Sequence, residues 1–313
     1  MAGVTEGSRL RELRLRVNPD LPMTLCTLYR EGVTLFLEAG IANAANEVMW
    51  ILEAALGISR LALYTDQDRI VDQEGWKAAM RLLVRRASGE PLQYLLGTQE
   101  FWGLEFAVRP GVFIPRPETE LIVEEVLSYS LPSSSPLIVD VGTGPGCLAV
   151  ALAVGCPHGK VYAIDRCPLA LAVAKENAER HRVTHRVTFL FGDLLQPLAP
   201  LGLECHISAI VANPPYLPTS QLETLPREVR DFEPRLALDG GSDGLEPYRR
   251  LLREALIFLE PGGILVVEVG AGQAAQACKE ALGLEGFLVR GVRRDSAGIE
   301  RVICLERRGQ RPS

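Results

Sequence analysis

The spacing of apolar positions along the chain changes character twice. From about residue 24 to 98, Leu25, Leu28, Val33, Leu37, Val48, Ile51, Leu52, Ala55, Leu56, Leu61 and Leu63 recur at spacings of three and four, with breaks at Gly32, Gly40 and Gly57. That period predicts a small helical bundle. Asp72 followed by Glu74 marks another helix start, and Trp76, Met80, Leu82, Leu83 and Val84 carry that helix towards Gly89. Phe101, Trp102, Leu104, Phe106, Val108, Val112, Phe113 and Ile114 then read as a hairpin, split by Gly103 and by Pro110-Gly111. Pro115 and Pro117 stiffen its exit, and Glu118, Thr119 and Glu120 suit the first turn of the next helix.

From Leu137 onwards, short apolar runs alternate with helical stretches, which predicts a parallel sheet with right-handed crossovers. The strands fall at 137–141, 161–165, 187–191, 207–212, 263–269, 286–292 and 300–305. The last two lie close enough together for an antiparallel hairpin at the sheet edge. The expected fold class is therefore α/β, with a seven-stranded Rossmann-like sheet and a small all-helical N-terminal domain connected by a β-hairpin. The expected domains are a poorly ordered extension over 1–23, a helical domain over 24–98, a hairpin linker over 99–116 and the sheet domain over 117–313.

At 313 residues, with 47% hydrophobic and 23% charged, the composition is that of an ordinary globular chain. A net charge of −6 gives no global attraction for a nucleic-acid backbone, so no direct nucleic-acid substrate is expected. The seven cysteines are scattered, without CxxC pairing or metal-ligand spacing, and only four histidines occur. This predicts reduced thiols and no metal. No apolar run reaches membrane-spanning length, and the N-terminus has no signal-peptide core. Arg9, Arg11, Arg14 and Arg16 suggest an organelle-targeting segment, but Glu6, Glu12 and Asp20 interrupt it. A cytoplasmic, monomeric protein with no membrane association is expected.

Candidate chemistry concentrates at strand ends. Gly142-Thr143-Gly144-Pro145-Gly146 follows the strand 137–141 and opens the helix beginning CLAVALAV. Its glycines allow a ligand close to the backbone, and Pro145 suits a first helical turn. A nicotinamide dinucleotide would need a glycine one position later, where Cys147 stands, so S-adenosylmethionine suits this loop better. Asp165, about twenty residues on, suits the two ribose hydroxyls, while Asp193 and Leu194 at the next strand end suit the adenine amino group and ring face. For Asp193 alone, a turn or helix-cap role is at least as good a reading.

The strand 207–212 ends in Asn213-Pro214-Pro215-Tyr216. Two prolines terminate pairing and stiffen the tip, so the Asn213 side chain and the carbonyls of Asn213 and Pro214 project from a rigid frame. Such a frame can accept both N–H bonds of a planar NH2 group, with Tyr216 against its flat face. Asn213, Pro214 and Tyr216 are thus the candidate catalytic residues, and Asn213 to Tyr216 the candidate substrate site.

GEPLQYLLG at 89–97, FIPRPETE at 113–120, DVGTGPG at 140–146, NPPY at 213–216, EPRLALDGGSDGL at 233–245 and DSAGIER at 295–301 together resemble the release factor glutamine methyltransferase family, over about residues 24–306. The resemblance implies S-adenosylmethionine as methyl donor, held by Gly142 to Gly146, Asp165 and Asn213. It implies as acceptor the glutamine of the Gly-Gly-Gln loop of class 1 peptide chain release factors, recognised with help from the helical domain. Pro145 and Leu194 depart from the family's commoner residues. Arg116 and Glu118 fit either substrate contact or a brace at the domain junction, the brace being favoured. NPPY is shared with ribosomal-protein glutamine methyltransferases and with nucleic-acid adenine amino methyltransferases, which stand as alternatives, as does a donor-binding scaffold without turnover.

Overall fold

The computed structural model describes residues 23–309. The extension expected over 1–23 therefore lies outside the described residues except for Met23. The chain divides into two compact units, Met1–Gly97 and Thr98–Ser313.

The first unit contains helices α1 (Leu25–Glu38), α2 (Ala44–Leu56), α3 (Arg60–Thr65), α4 (Gln73–Ala87) and α5 (Leu92–Leu96). Thr24, Ser59 and Asp72 cap three of them by accepting backbone N–H groups from Thr27, Ala62 and Gly75. The three- and four-residue spacing is realised as one core in which Leu28, Phe36, Val48, Ile51, Leu52 and Leu83 are buried. Arg86 and Glu47, both with little side-chain exposure, form an ion pair at 2.5 Å across that core.

The second unit opens with the antiparallel hairpin β1 (Thr98–Phe101) and β2 (Leu104–Ala107). Trp102 and Gly103 at its tip both have positive φ, 55° and 66°, the geometry of a two-residue hairpin turn. The strand pairing ends at Ala107, short of the Ile114 suggested by the apolar pattern. Phe101 and Phe106 are buried in the core of this unit, so the segment expected as a linker packs as part of it. Asn177 completes the attachment: its amide exchanges hydrogen bonds with both the N–H and the C=O of Ala107.

The α-helices and strands that follow are α6 (Glu120–Ser128), β3 (Leu137–Val141), α7 (Cys147–Gly155), β4 (Lys160–Asp165), α8 (Pro168–Arg180), β5 (Val187–Phe191), β6 (Ile207–Ala212), α9 (Arg227–Arg230), α10 (Glu246–Phe258), β7 (Leu259–Glu268), α11 (Ala274–Gly283), β8 (Phe287–Arg294) and β9 (Glu300–Arg307), with a short 3-10 turn, Pro117–Thr119, leading into α6. The sheet order is β5-β4-β3-β6-β7-β9-β8, with β9 antiparallel to both neighbours. Successive strand residues alternate between two cores. Ile138, Ala209, Val211, Ile264 and Val266 pack with α6 and α7 on one face, whereas Val139, Val141, Ile210, Leu265 and Val267 pack with α10 and α11 on the other. β3 pairs with β4 on one side and with β6 on the other. The chain direction across the sheet thus reverses between β3 and β6, and the carboxyl ends of these strands flank a ligand-binding crevice. No helix among the described residues is long and apolar enough to cross a membrane, and no cluster of potential metal ligands occurs among them.

Candidate active site

The glycine loop after β3 is held from below. Asp140, fully buried, accepts the Thr143 hydroxyl at 2.6 Å and the Ala149 N–H at 3.0 Å through Oδ2. Burial pushes its carboxyl up to about 7, against the pull of those two hydrogen bonds. Gly142 and Thr143 both donate their N–H groups to the Ile164 carbonyl. Gly142, Gly144 and Gly146 all have positive φ, at 72°, 55° and 87°. A Cβ on Gly142 would meet no protein atom within 4 Å, whereas one on Gly146 would lie 2.9 Å from the Ala174 Cβ on α8. The first glycine therefore faces open space and the last serves helix packing. The Pro145 carbonyl accepts from Asn177 at 2.8 Å.

Asp165, at the end of β4, receives the Gly144 N–H at 2.9 Å on one oxygen and the Cys167 N–H at 2.8 Å on the other. Burial raises its pKa, while these two bonds and Arg166 oppose the rise. Each oxygen keeps lone-pair capacity for a ligand hydroxyl. After β5, Leu194 has φ 48°, an uncommon value for a side chain of its size. Asp193 is in an ion pair with Arg250 of α10 at 2.5 Å, a partner the sequence reading does not supply. Gly142, Asp165, Asp193, Leu194, Asn213 and Pro214 line one pocket. Thr143, Gly144, Pro145 and Pro215 join them there, whereas Gly146 and Tyr216, also expected at the site, are not among the lining residues.

The Asn213–Tyr216 tip is held from two directions, by Gln273 and by the loop 239–244. Pro214 is buried. Gln273, opening α11, donates to the Tyr216 carbonyl at 2.9 Å and accepts the Gly270 N–H at 2.7 Å. The loop 239–244 packs its glycines on the same backbone: a Cβ on Gly240 would approach the Pro215 carbonyl to 2.7 Å, and one on Gly244 would collide with the Tyr216 carbonyl. Glu233, with its side chain 2% exposed, pairs with Arg116 and accepts the Ile114 N–H at 3.3 Å. Burial raises the Glu233 pKa, and the Arg116 guanidinium works in the opposite direction. The Arg116 guanidinium also lies 5.1 Å from the Phe113 ring centroid, so its contacts with Glu233 and Phe113 both fall within the second unit.

Behind Asn213 lies a chain of hydrogen bonds missed by sequence reasoning. The Asn213 Nδ2 donates to the Thr119 hydroxyl at 3.0 Å, and that hydroxyl donates to Glu268 Oε2 at 2.6 Å. The Tyr216 hydroxyl also bonds to Glu268. Glu268 is 1% exposed at the end of β7, and burial pushes its carboxyl up to about 7. Its only sequence signal is a lone acid inside the apolar run GILVVEV.

Residues 27–97 match the PrmC N-terminal domain and residues 104–230 the methyltransferase small domain. The release factor glutamine methyltransferase of Geobacter sulfurreducens is 47% identical over 269 residues, covering 85% of this chain and 90% of that protein. The chain belongs to the release factor glutamine methyltransferase family. The family member from Moorella thermoacetica is 44% identical and covers 91% of this chain and 99% of its own length. A methyltransferase from Pyrococcus furiosus, 18% identical with a TM-score of 0.50 over 66% of this chain and 90% of its own, shares the fold. The motifs PRPETE, NPPY and EPRLALDGGSDGL, far apart in the chain, meet pairwise: Thr119 with Asn213, Arg116 with Glu233, and Gly244 with the Tyr216 carbonyl.

Proposed function

We propose that this protein transfers a methyl group from S-adenosylmethionine to the side-chain amide nitrogen of the glutamine in the Gly-Gly-Gln loop of class 1 peptide chain release factors, a modification that modulates translation termination. The observation that carries the reading is the rigid tip whose Asn213, Pro214 and Pro215 line the same pocket as the glycine loop. Family membership at 47% identity to a protein named for this activity supports the acceptor.

The residues fit the donor. Gly142 leaves open space where a side chain would stand, Asp165 offers two half-used oxygens to a ribose, and Leu194 lines the pocket for an adenine face. S-adenosylmethionine supplies an electrophilic methyl group on a sulfonium whose departing thioether is neutral, so positioning outweighs acid–base help. An amide nitrogen is a poor nucleophile because its lone pair is delocalised into the carbonyl. Asn213 Oδ1 and the Pro214 carbonyl accept its two N–H bonds and stabilise the positive charge that develops on nitrogen. The alkylated nitrogen is strongly acidic and loses a proton without a dedicated base. In this reading the helical unit helps recognise the release factor, and the enzyme acts as a monomer in the cytoplasm.

The direct experiment mixes the protein with methyl-labelled S-adenosylmethionine and a release factor carrying either Gly-Gly-Gln or Gly-Gly-Ala. Label in the first factor alone is the expected result; label in a ribosomal protein or in DNA instead would replace the acceptor. Asp165→Ala is expected to weaken donor binding by about 10- to 100-fold, because it removes the ribose acceptor and frees the Gly144 N–H. Calorimetry with the donor reads this out, and an unchanged dissociation constant would remove Asp165 from the site.

A further inference from the structure

One buried carboxylate stands behind both ends of the Asn213–Tyr216 tip. We infer that Glu268, acting through Thr119, is the positioning residue that fixes which way the Asn213 amide faces, and so keeps its oxygen turned to the incoming substrate amide. The inference rests on the reading of this tip as a clamp for a glutamine NH2 group.

The argument is one of donor counting. A hydroxyl has a single proton, and Thr119 gives it to Glu268 at 2.6 Å. Thr119 Oγ1 therefore faces Asn213 with lone pairs only, and the group 3.0 Å from it must be the NH2 end of the amide. The carbonyl end then points away from Thr119, and it is the end that can accept a substrate N–H. Were the Thr119 proton free, it could be given to Asn213 Oδ1 instead, and the reversed amide would present N–H against N–H.

Sheet register enforces the meeting. Ala212 pairs with Val267 between β6 and β7, so Asn213 and Glu268 follow side by side. Both belong to the face that carries Ala209, Val211, Ile264 and Val266, against which α6 packs. Thr119 immediately precedes α6 and bridges the two.

Glu268 must be ionised for this chain of donors to run one way. The groups acting on it are Thr119 and Tyr216 by hydrogen bonding and Arg301 of β9 by charge, all favouring ionisation. Glu118 and burial oppose it, burial most strongly, leaving the carboxyl at about 7. Protonated Glu268 can donate to Thr119, whose hydroxyl is then released to the Asn213 oxygen. The ionised form is the competent one, so turnover falls as pH drops through about 7, well above the ordinary carboxylate range.

The test follows turnover and amide orientation separately. At saturating donor and release factor, Thr119→Val is expected to lower kcat by about 10- to 100-fold, with KM and donor affinity changed less than about threefold. Thr119→Ser restores most of the loss, and Glu268→Gln flattens the acid limb between about pH 5.5 and 8.5. In parallel, protein with 15N-labelled asparagine is studied by NMR without substrates, the Asn213 NH2 pair being identified by its absence in Asn213→Ala. In the unmodified chain that pair is expected to titrate with a midpoint near 7, and in Thr119→Val to exchange with solvent at least about tenfold faster.

An Asn213 NH2 signal insensitive to pH, or an acid limb that persists in Glu268→Gln, would overturn the inference, even if Thr119→Val proved unable to fold. If no Gly-Gly-Gln factor is methylated while the NH2 pair still titrates and responds to Thr119, the glutamine reading fails and the orientation mechanism stands.

Discussion

Asn213→Ala is expected to lower kcat for glutamine methylation by about a hundred- to a thousandfold, the scale seen when one preorganised charge-stabilising group is deleted. The substitution removes the acceptor that meets the nascent charge on nitrogen, and it strips Thr119 of its donor at 3.0 Å. The frame itself survives, since Pro214 stays buried and Gln273 still holds the Tyr216 carbonyl. Donor affinity should therefore fall by less than about tenfold, because the glycine loop and Asp165 are untouched. Single-turnover methylation and donor calorimetry on the same preparation separate the two quantities. A kcat within a few-fold of the unmodified enzyme would mean that Asn213 is not part of the clamp. A scaffold that binds donor without turnover would show no methylation in either protein.

Gly244→Ala is expected to be nearly as damaging, for a reason set by the backbone. Gly244 has φ 80°, and a Cβ there would run into the Tyr216 carbonyl. Left-handed strain alone costs about 1–2 kcal/mol for an L-residue. The collision must also displace either the 239–244 loop or the Asn213–Tyr216 tip. A shift of about 1 Å at a reacting group can cost on the order of a hundredfold in rate, and a combined cost of about 2–4 kcal/mol would lower Tm by roughly 5–15 °C. Gly202→Ala serves as the control, because Gly202 also has positive φ, 63°, but nothing lies within 4 Å of its added Cβ. It should show the strain term and unchanged turnover. Equal effects of the two substitutions on kcat would mean that contact with the tip is irrelevant.

Much of the architecture was legible because local chemistry and global fold agree. Leu28, Val48, Ile51 and Leu52 announced a helical core by spacing alone, and they occupy one. Asp72 announced a helix start and caps it. The strands β3 and β6 and the second half of β7 were visible as short apolar runs because central strands covered on both faces have no polar side to interrupt them. The hairpin was legible up to Phe106, but the apolar residues Val108, Val112 and Ile114 overstated its length. They are buried without being strand, which composition cannot distinguish.

Thr119 shows why part of the site was hidden. Beside Glu118 and Glu120 it has the appearance of a helix-start residue, and it does precede α6, but its side chain makes no cap bond there. Its hydroxyl turns inward to Glu268, a residue 149 positions later in the chain. Asp193 likewise has a partner that no local pattern announces, Arg250, 57 positions away.

The sequence by itself determined the elements, the glycine loop, the stiff Asn213–Tyr216 tip and the family, because these depend on residues within a few positions of one another. Only the tertiary structure decided that Glu268 stands beside Asn213, that Thr119 bridges them and that Gly244 buttresses the Tyr216 carbonyl. Such pairings are fixed by sheet register and helix packing, which bring together side chains whose separation along the chain leaves no periodic trace.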